Sequence, residues 1–238
     1  VETPPIPVAI PPIPVETPPI PVAIPPIPVE TPAIKDLEEV KEYTTDRPIP
    51  SVEKDASAGN VDATQEHTRG NPNARISIVE YANMTHEYPR IIHPELKKFI
   101  EVNPNVNWIF RHYPIPENEM DYPIAYMNEC VFRQSGDNAF WTYLDAVYET
   151  TPTNIEQMFI LAKPMVSDVA ELMNCYENSV PENDVNDDKI LAATEGKMTV
   201  LPTFFFVDHA TGQERAVLGI DTMDFFQDIV NTMMKVEQ

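Results

Sequence analysis

Residues 70–114 read GNPNARISIVEYANMTHEYPRIIHPELKKFIEVNPNVNWIFRHYP, and three elements follow one another within them. The turn-forming run Gly70-Asn71-Pro72-Asn73-Ala74 precedes Arg75-Ile76-Ser77-Ile78-Val79-Glu80-Tyr81. Alternation and β-branched residues predict a strand there. Residues 86–102 place Leu96, Phe99 and Ile100 at helical spacing. A second strand is predicted over Val106-Asn107-Trp108-Ile109-Phe110-Arg111-His112-Tyr113.

Working downstream, residues 123–195 are mostly helical in pattern. A third strand is expected at Thr203-Phe204-Phe205-Phe206-Val207, entered through Leu201-Pro202, and a fourth at Arg215 to Leu218. An amphipathic last helix runs from Asp221, its expected N-cap, to Lys235. The order is β-α-β, a helical block, then β-β-α. That is an α/β chain of thioredoxin fold with a helical insertion at about 117–195.

Upstream the composition changes. Residues 1–14 read VETPPIPVAIPPIP, residues 15–28 repeat them letter for letter, and a third copy starts at Val29 and decays after Thr31-Pro32. Proline this dense excludes a helix, because each ring lacks an amide donor and clashes with the preceding turn. It excludes a central strand for want of the same donors. Residues 1–34 are expected to run as polyproline II, reaching about 100 Å at ~3.1 Å per residue. A stiff stalk is the plain expectation; the interleaved Ile and Val also suit docking in an aromatic groove. Residues 35–68 turn acidic and polar and read as a linker, with one short helix around Lys35–Tyr43. The folded domain is expected over 69–238.

The whole chain has 238 residues, 42% of them apolar, enough for a substantial core. Sixteen Lys+Arg against 38 Asp+Glu give a net charge of −22, read as a solvated acidic surface. Such a charge argues against nucleic acid and anionic membranes as partners, since both are polyanions. The longest apolar run, Thr199 to Val207, falls far short of the ~18 residues of a membrane span. The chain begins at Val1 without a visible leader, as a processed chain or a fragment would. Cys130 and Cys175, 45 positions apart, fit neither a CxxC pair nor a zinc pattern. Two readings stand: one disulfide, in an oxidising compartment, or two buried free thiols.

Several motifs in order carry a family resemblance. Gly70-Asn71-Pro72-Asn73-Ala74, Ile78-Val79-Glu80-Tyr81, His93-Pro94-Glu95-Leu96-Lys97-Lys98 and Phe110-Arg111-His112-Tyr113-Pro114 resemble the DsbA-like family of thiol-disulfide oxidoreductases. Glu129-Cys130 followed by Asn138-Ala139-Phe140-Trp141 is similar to that family's insertion helices, and Leu201-Pro202-Thr203-Phe204-Phe205 to its cis-proline loop. The resemblance spans roughly residues 67–235. It implies a location outside the cytoplasm, in the periplasm or at the cell surface, and a redox CxxC opening the first helix, seven positions before His93. The residues there are His86-Glu87-Tyr88-Pro89. Tyr88 fits the family's middle dipeptide, but both cysteines are gone. Disulfide exchange needs a thiolate to attack and a second thiol to resolve the mixed disulfide. The helix start serves to lower that thiol's pKa. Imidazole and proline supply neither group, so the family fold is expected without the family chemistry. No cofactor is expected.

His86 and His93 could share one helix face, but no third ligand is evident and no metal is expected there. His93 and His112 match positions that are ordinary parts of the family fold. Asp184, Asn186, Asp188 and Glu195 fall at positions 1, 3, 5 and 12 of a calcium-loop template, yet Lys189 holds the place of its glycine. Asp187 or Asp188 reads better as the N-cap of a helix from Lys189 to Glu195. The overall expectation is a non-catalytic module acting by protein contact. Its 1–34 tail would serve as stalk or as strap to a neighbouring copy in a homo-oligomer or fibre. The rivals are an oxidoreductase using Cys130 and Cys175, unknown chemistry at His86, and a peptide-gripping chaperone beside Pro202.

Overall fold

The computed structural model describes residues 56–178, 181–196, 198 and 200–235. The repeat tail and the helix expected around residues 35–43 lie outside them. Five strands form one mixed sheet in the order β1-β3-β2-β4-β5. They are β1 (Thr68–Gly70), β2 (Ile76–Ala82), β3 (Val106–His112), β4 (Thr203–Asp208) and β5 (Gln213–Leu218). β2 runs parallel to β3 and antiparallel to β4, and the two edge strands are antiparallel to their neighbours. The crossover from β2 to β3 is α1 (Glu87–Val102). Between β3 and β4 come α2 (Asp121–Ser135), α3 (Asp137–Thr150), α4 (Ile155–Ala162), α5 (Val169–Asn178) and α6 (Glu182–Leu191). α7 (Met223–Lys235) closes the described part.

All seven residues of β2 and all seven of β3 are buried, because both faces of the sheet are covered. Alternation sorts them. Ile76, Ile78 and Ala82 face one core with Trp108, Phe110, Phe204 and Phe206. Val79 and Tyr81 face the other, with Ile109, Phe205 and Val207. Ile92, Leu96, Phe99 and Ile100 of α1 and Phe226, Ile229, Val230 and Met233 of α7 cover the first face, joined by the α2–α5 helices. The Phe226 ring stands edge-on to Phe204 and Phe206, 5.1 Å from each, a geometry that aromatic quadrupoles favour. At Gly70 φ is +100°, and a Cβ there would lie 2.9 Å from Ile100 Cγ2. Glycine therefore lets β1 turn close against α1.

Three expectations need correcting. Residues 56–68 do not behave as linker. Ala58 and Ala63 are buried against the second face, and the buried Arg111 guanidinium grips the carbonyls of Ala58 (2.5 Å) and Asn60 (2.9 Å) and the carboxylate of Glu66 (2.6 Å). Thr68–Gly70 then pairs with β3, so the packed region reaches upstream of residue 69 at least to Ala56. Next, neither Asp187 nor Asp188 caps a helix. α6 is already under way at Glu182, and residues 192–196 continue it as a π-helical turn. Asp188 is instead half-buried, accepting the His112 amide at 2.7 Å. Finally, the last helix is capped by Thr222, whose Oγ1 accepts from the Phe225 amide, while Asp221 only bonds the Thr222 amide.

Candidate functional site

His86 is the N-cap of α1. Its backbone is extended and its Nδ1 accepts the Tyr88 amide at 3.3 Å. The ring thus does the work of a capping side chain, filling a place where an amide would otherwise lack a partner. Glu87 is the acidic residue of the first turn, where the helix dipole favours it. Pro89 is buried in that turn, where a missing N–H costs no intrahelical bond. The approach to the helix is fixed by the buried Asp121 of α2. Its carboxylate accepts from Asn83 (2.7 Å), from the Thr85 hydroxyl and from the Ile115 amide (2.9 Å). Nothing in sequence spacing singled out Asp121, because its partners come from two separate loops.

The Leu201–Pro202 peptide is cis. Thr203 Oγ1 donates to the Val200 carbonyl and Gly219 N–H to the Pro202 carbonyl, so the loop is held from both sides. Between this loop and His86 lies an open cleft of about 390 Å³, lined by Tyr113, Ile115, Lys189, Met198 and Leu201 among others. Lys189 donates to the Tyr122 hydroxyl at 2.8 Å. His86 and Leu201, far apart in sequence, thus share one cleft.

No thiol serves that cleft. Cys130 of α2 and Cys175 of α5 are bonded to each other, Cα to Cα 5.8 Å, and both are buried. The chain has two cysteines, so none is left over. His93 does not join His86: it is buried and bonded through Nε2 to Asp145 at 2.7 Å. Burial pulls its pKa below the usual histidine value despite that carboxylate. The four calcium-template residues lie on α6 and the π-turn after it, not on a loop. Asp184 pairs with Arg133 (2.8 Å) while Asp188 bonds the His112 backbone amide. A continuous helix cannot wrap one ion with residues spread over three turns.

Three acids and bases escaped the sequence reading. Glu80 of β2 lies wholly buried beneath the helical layer and accepts the Trp108 indole N–H at 2.9 Å. Burial pushes its carboxyl up to about 8, against the pull of that hydrogen bond. His67 and Glu129 are the others. They meet His112 between β1, β3 and α2, with both imidazoles bonded to one Glu129 oxygen.

Comparison with known proteins agrees with this architecture. The family model described as thioredoxin matches residues 62–220, and the chain belongs to that family as a DsbA-like member. It is similar in structure to DsbA2 of Pseudomonas aeruginosa, with 25% identity and a TM-score of 0.60 over 73% of this chain and 97% of that one. A thioredoxin-like oxidoreductase from Silicibacter pomeroyi aligns at 20% identity and TM-score 0.63, over 75% of this chain and 100% of its own. Oxidised BdbD from Bacillus subtilis aligns at 18% and 0.57, over 76% and 97%. No curated protein matches the chain.

Proposed function

We propose that this chain is a non-catalytic DsbA-like module that works outside the cytoplasm by protein contact. One observation carries the reading. The start of α1 holds His86 and Pro89 with no sulfur, and the chain's two cysteines are tied to each other elsewhere, on α2 and α5. A buried disulfide is also what an oxidising compartment maintains. Without an attacking thiolate the cleft beside cis-Pro202 can bind but cannot exchange. In this reading residues 1–34 are a stalk, or a strap laid onto a neighbouring copy. A strap that enters the next subunit makes a heterologous contact, which propagates into a fibre unless the rotation closes.

A second reading, an extended-peptide binder, is favoured by the open cleft between His86 and Leu201. The test has two arms. Insulin reduction and dithiol oxidation should stay at the uncatalysed rate, and catalytic turnover would overturn the non-catalytic reading. Particle size with and without residues 1–34 should fall from assembly to monomer on truncation. A full-length monomer would remove the strap and leave the stalk.

A further inference from the structure

His67, His112 and Glu129 converge from three elements onto one spot. Glu129 Oε1 lies 2.8 Å from His67 Nε2 and 3.0 Å from His112 Nε2. All three atoms lie within 4.8 Å of one another. Glu129 and His112 are buried and His67 nearly so. Phe140 stacks on the His67 ring at 3.8 Å and Phe132 meets it edge-on at 4.4 Å. The pocket is thus walled by aromatic rings, and its three donors have little freedom to turn away.

We infer that this cluster is a binding site for one divalent ion of the zinc class, held by His67 Nε2, His112 Nε2 and a Glu129 oxygen. Zinc bonds of ~2.0–2.1 Å in tetrahedral array put neighbouring donors about 3.3 Å apart. The two nitrogen–oxygen distances here need to open by a few tenths of an ångström, and the two ring nitrogens, within 4.8 Å of each other, to close toward the same spacing. Two imidazoles and one carboxylate select zinc, cobalt or nickel over calcium and magnesium, which want oxygen. A water completes the tetrahedron. On binding, each Nε2 gives up its proton, a cationic ring releasing it to solvent and a neutral ring carrying one on Nδ1 instead, and the ion takes its place between nitrogen and carboxylate.

The surroundings supply the outer shell such a site needs. His67 Nδ1 and Asp137 Oδ1 are both buried without a hydrogen-bond partner, 3.7 Å apart. A small ring rotation as the ion seats would join them, fixing the ring as a carboxylate commonly does behind a metal-bound histidine. Asp188 secures the His112 backbone amide from α6. Sequence spacing hides all of this, since the three ligands sit 45 and 17 residues apart. The consequence is structural: the ion would clip the segment leading into β1 onto both the sheet and the insertion helices. This inference stands apart from the contact function proposed above.

The test uses the full chain, stripped with chelator and titrated with Co²⁺ and Zn²⁺. Expected are one ion per chain, the intense visible bands of four-coordinate Co²⁺, and a rise in melting temperature with Zn²⁺. His67→Gln, which can still bond Glu129, should lower the affinity beyond the 10–100-fold that an outer-shell partner costs, and Asp137→Asn by about 10-fold. Calcium should produce no shift. Binding well below one ion per chain, or equal affinity in His67→Gln, would leave an ion pair only and overturn the inference. Should His67→Gln not fold, X-ray absorption of the zinc-loaded wild-type chain decides: two imidazole scatterers support the site, and none refutes it.

Discussion

Consider replacing Glu80 by glutamine. The carboxyl is fully buried and its pKa is raised from 4.5 to about 8 by burial. In the unfolded chain it ionises near its ordinary value. Between those two pH values the folded state therefore holds a proton that the unfolded state has lost. Stability must fall as pH rises through that window, because the folded state binds more protons. At 1.36 kcal/mol per unit the full shift is worth about 5 kcal/mol above pH 8. Between pH 5 and pH 7.5 the fall is about 3 kcal/mol. Glu80→Gln removes the titration while keeping an oxygen for the Trp108 indole. The useful quantity is the stability of Glu80→Gln minus that of the wild type. Other groups that titrate in the same range, such as Asp188 with its pKa raised to about 7, cancel in that difference. Urea unfolding followed by fluorescence of Trp108 and Trp141 at several pH values measures it. The difference should grow by about 3 kcal/mol in favour of the amide from pH 5 to pH 7.5. A difference constant to within ~0.5 kcal/mol over that range would show that the carboxyl titrates normally, and the account of its burial would be wrong.

Two further outcomes are expected. The double variant Cys130→Ser, Cys175→Ser should lose about 4 kcal/mol, the chain-entropy value for a 45-residue separation, lowering the melting temperature by roughly 8–16 °C; an unchanged melt would mean that the α2–α5 tie contributes nothing to stability. Arg111→Met should release residues 56–66 from the sheet at a cost of about 3–5 kcal/mol, because Glu66 and two carbonyls lose their buried partner. Limited proteolysis reads this directly, with new cuts before β1 in the variant; protection equal to the wild type would show that Arg111 is not what holds the segment.

The strands of the central sheet were legible because β-branched and aromatic residues crowd β2 and β3, even with Glu80, Arg111 and His112 buried among them. The opening of α1 was legible too, through its spacing to His93. β1 was not. It is three residues long, lies next to Gln65-Glu66-His67, and owes its place to pairing with β3 rather than to its own propensity. The start of α6 was missed for a related reason: Glu182 to Asp188 is almost wholly polar, and only Val185 turns inward. An acidic run of that kind reads as loop until a partner such as Arg133 or the His112 amide is known. His67, Glu80 and Glu129 went unnoticed because a buried charge looks like a surface charge in one dimension. Their meaning lies in contacts across the sheet and between layers, which no local period records.

The Cys130–Cys175 bond has a consequence for how the protein is made. Closing it strips two electrons and two protons from a pair of thiols, and with two cysteines in all these residues hold no second disulfide to take them up. An outside oxidant must collect those electrons before α2 and α5 can lock together. The α2–α5 tie therefore depends on an oxidant that residues 130 and 175 do not themselves supply.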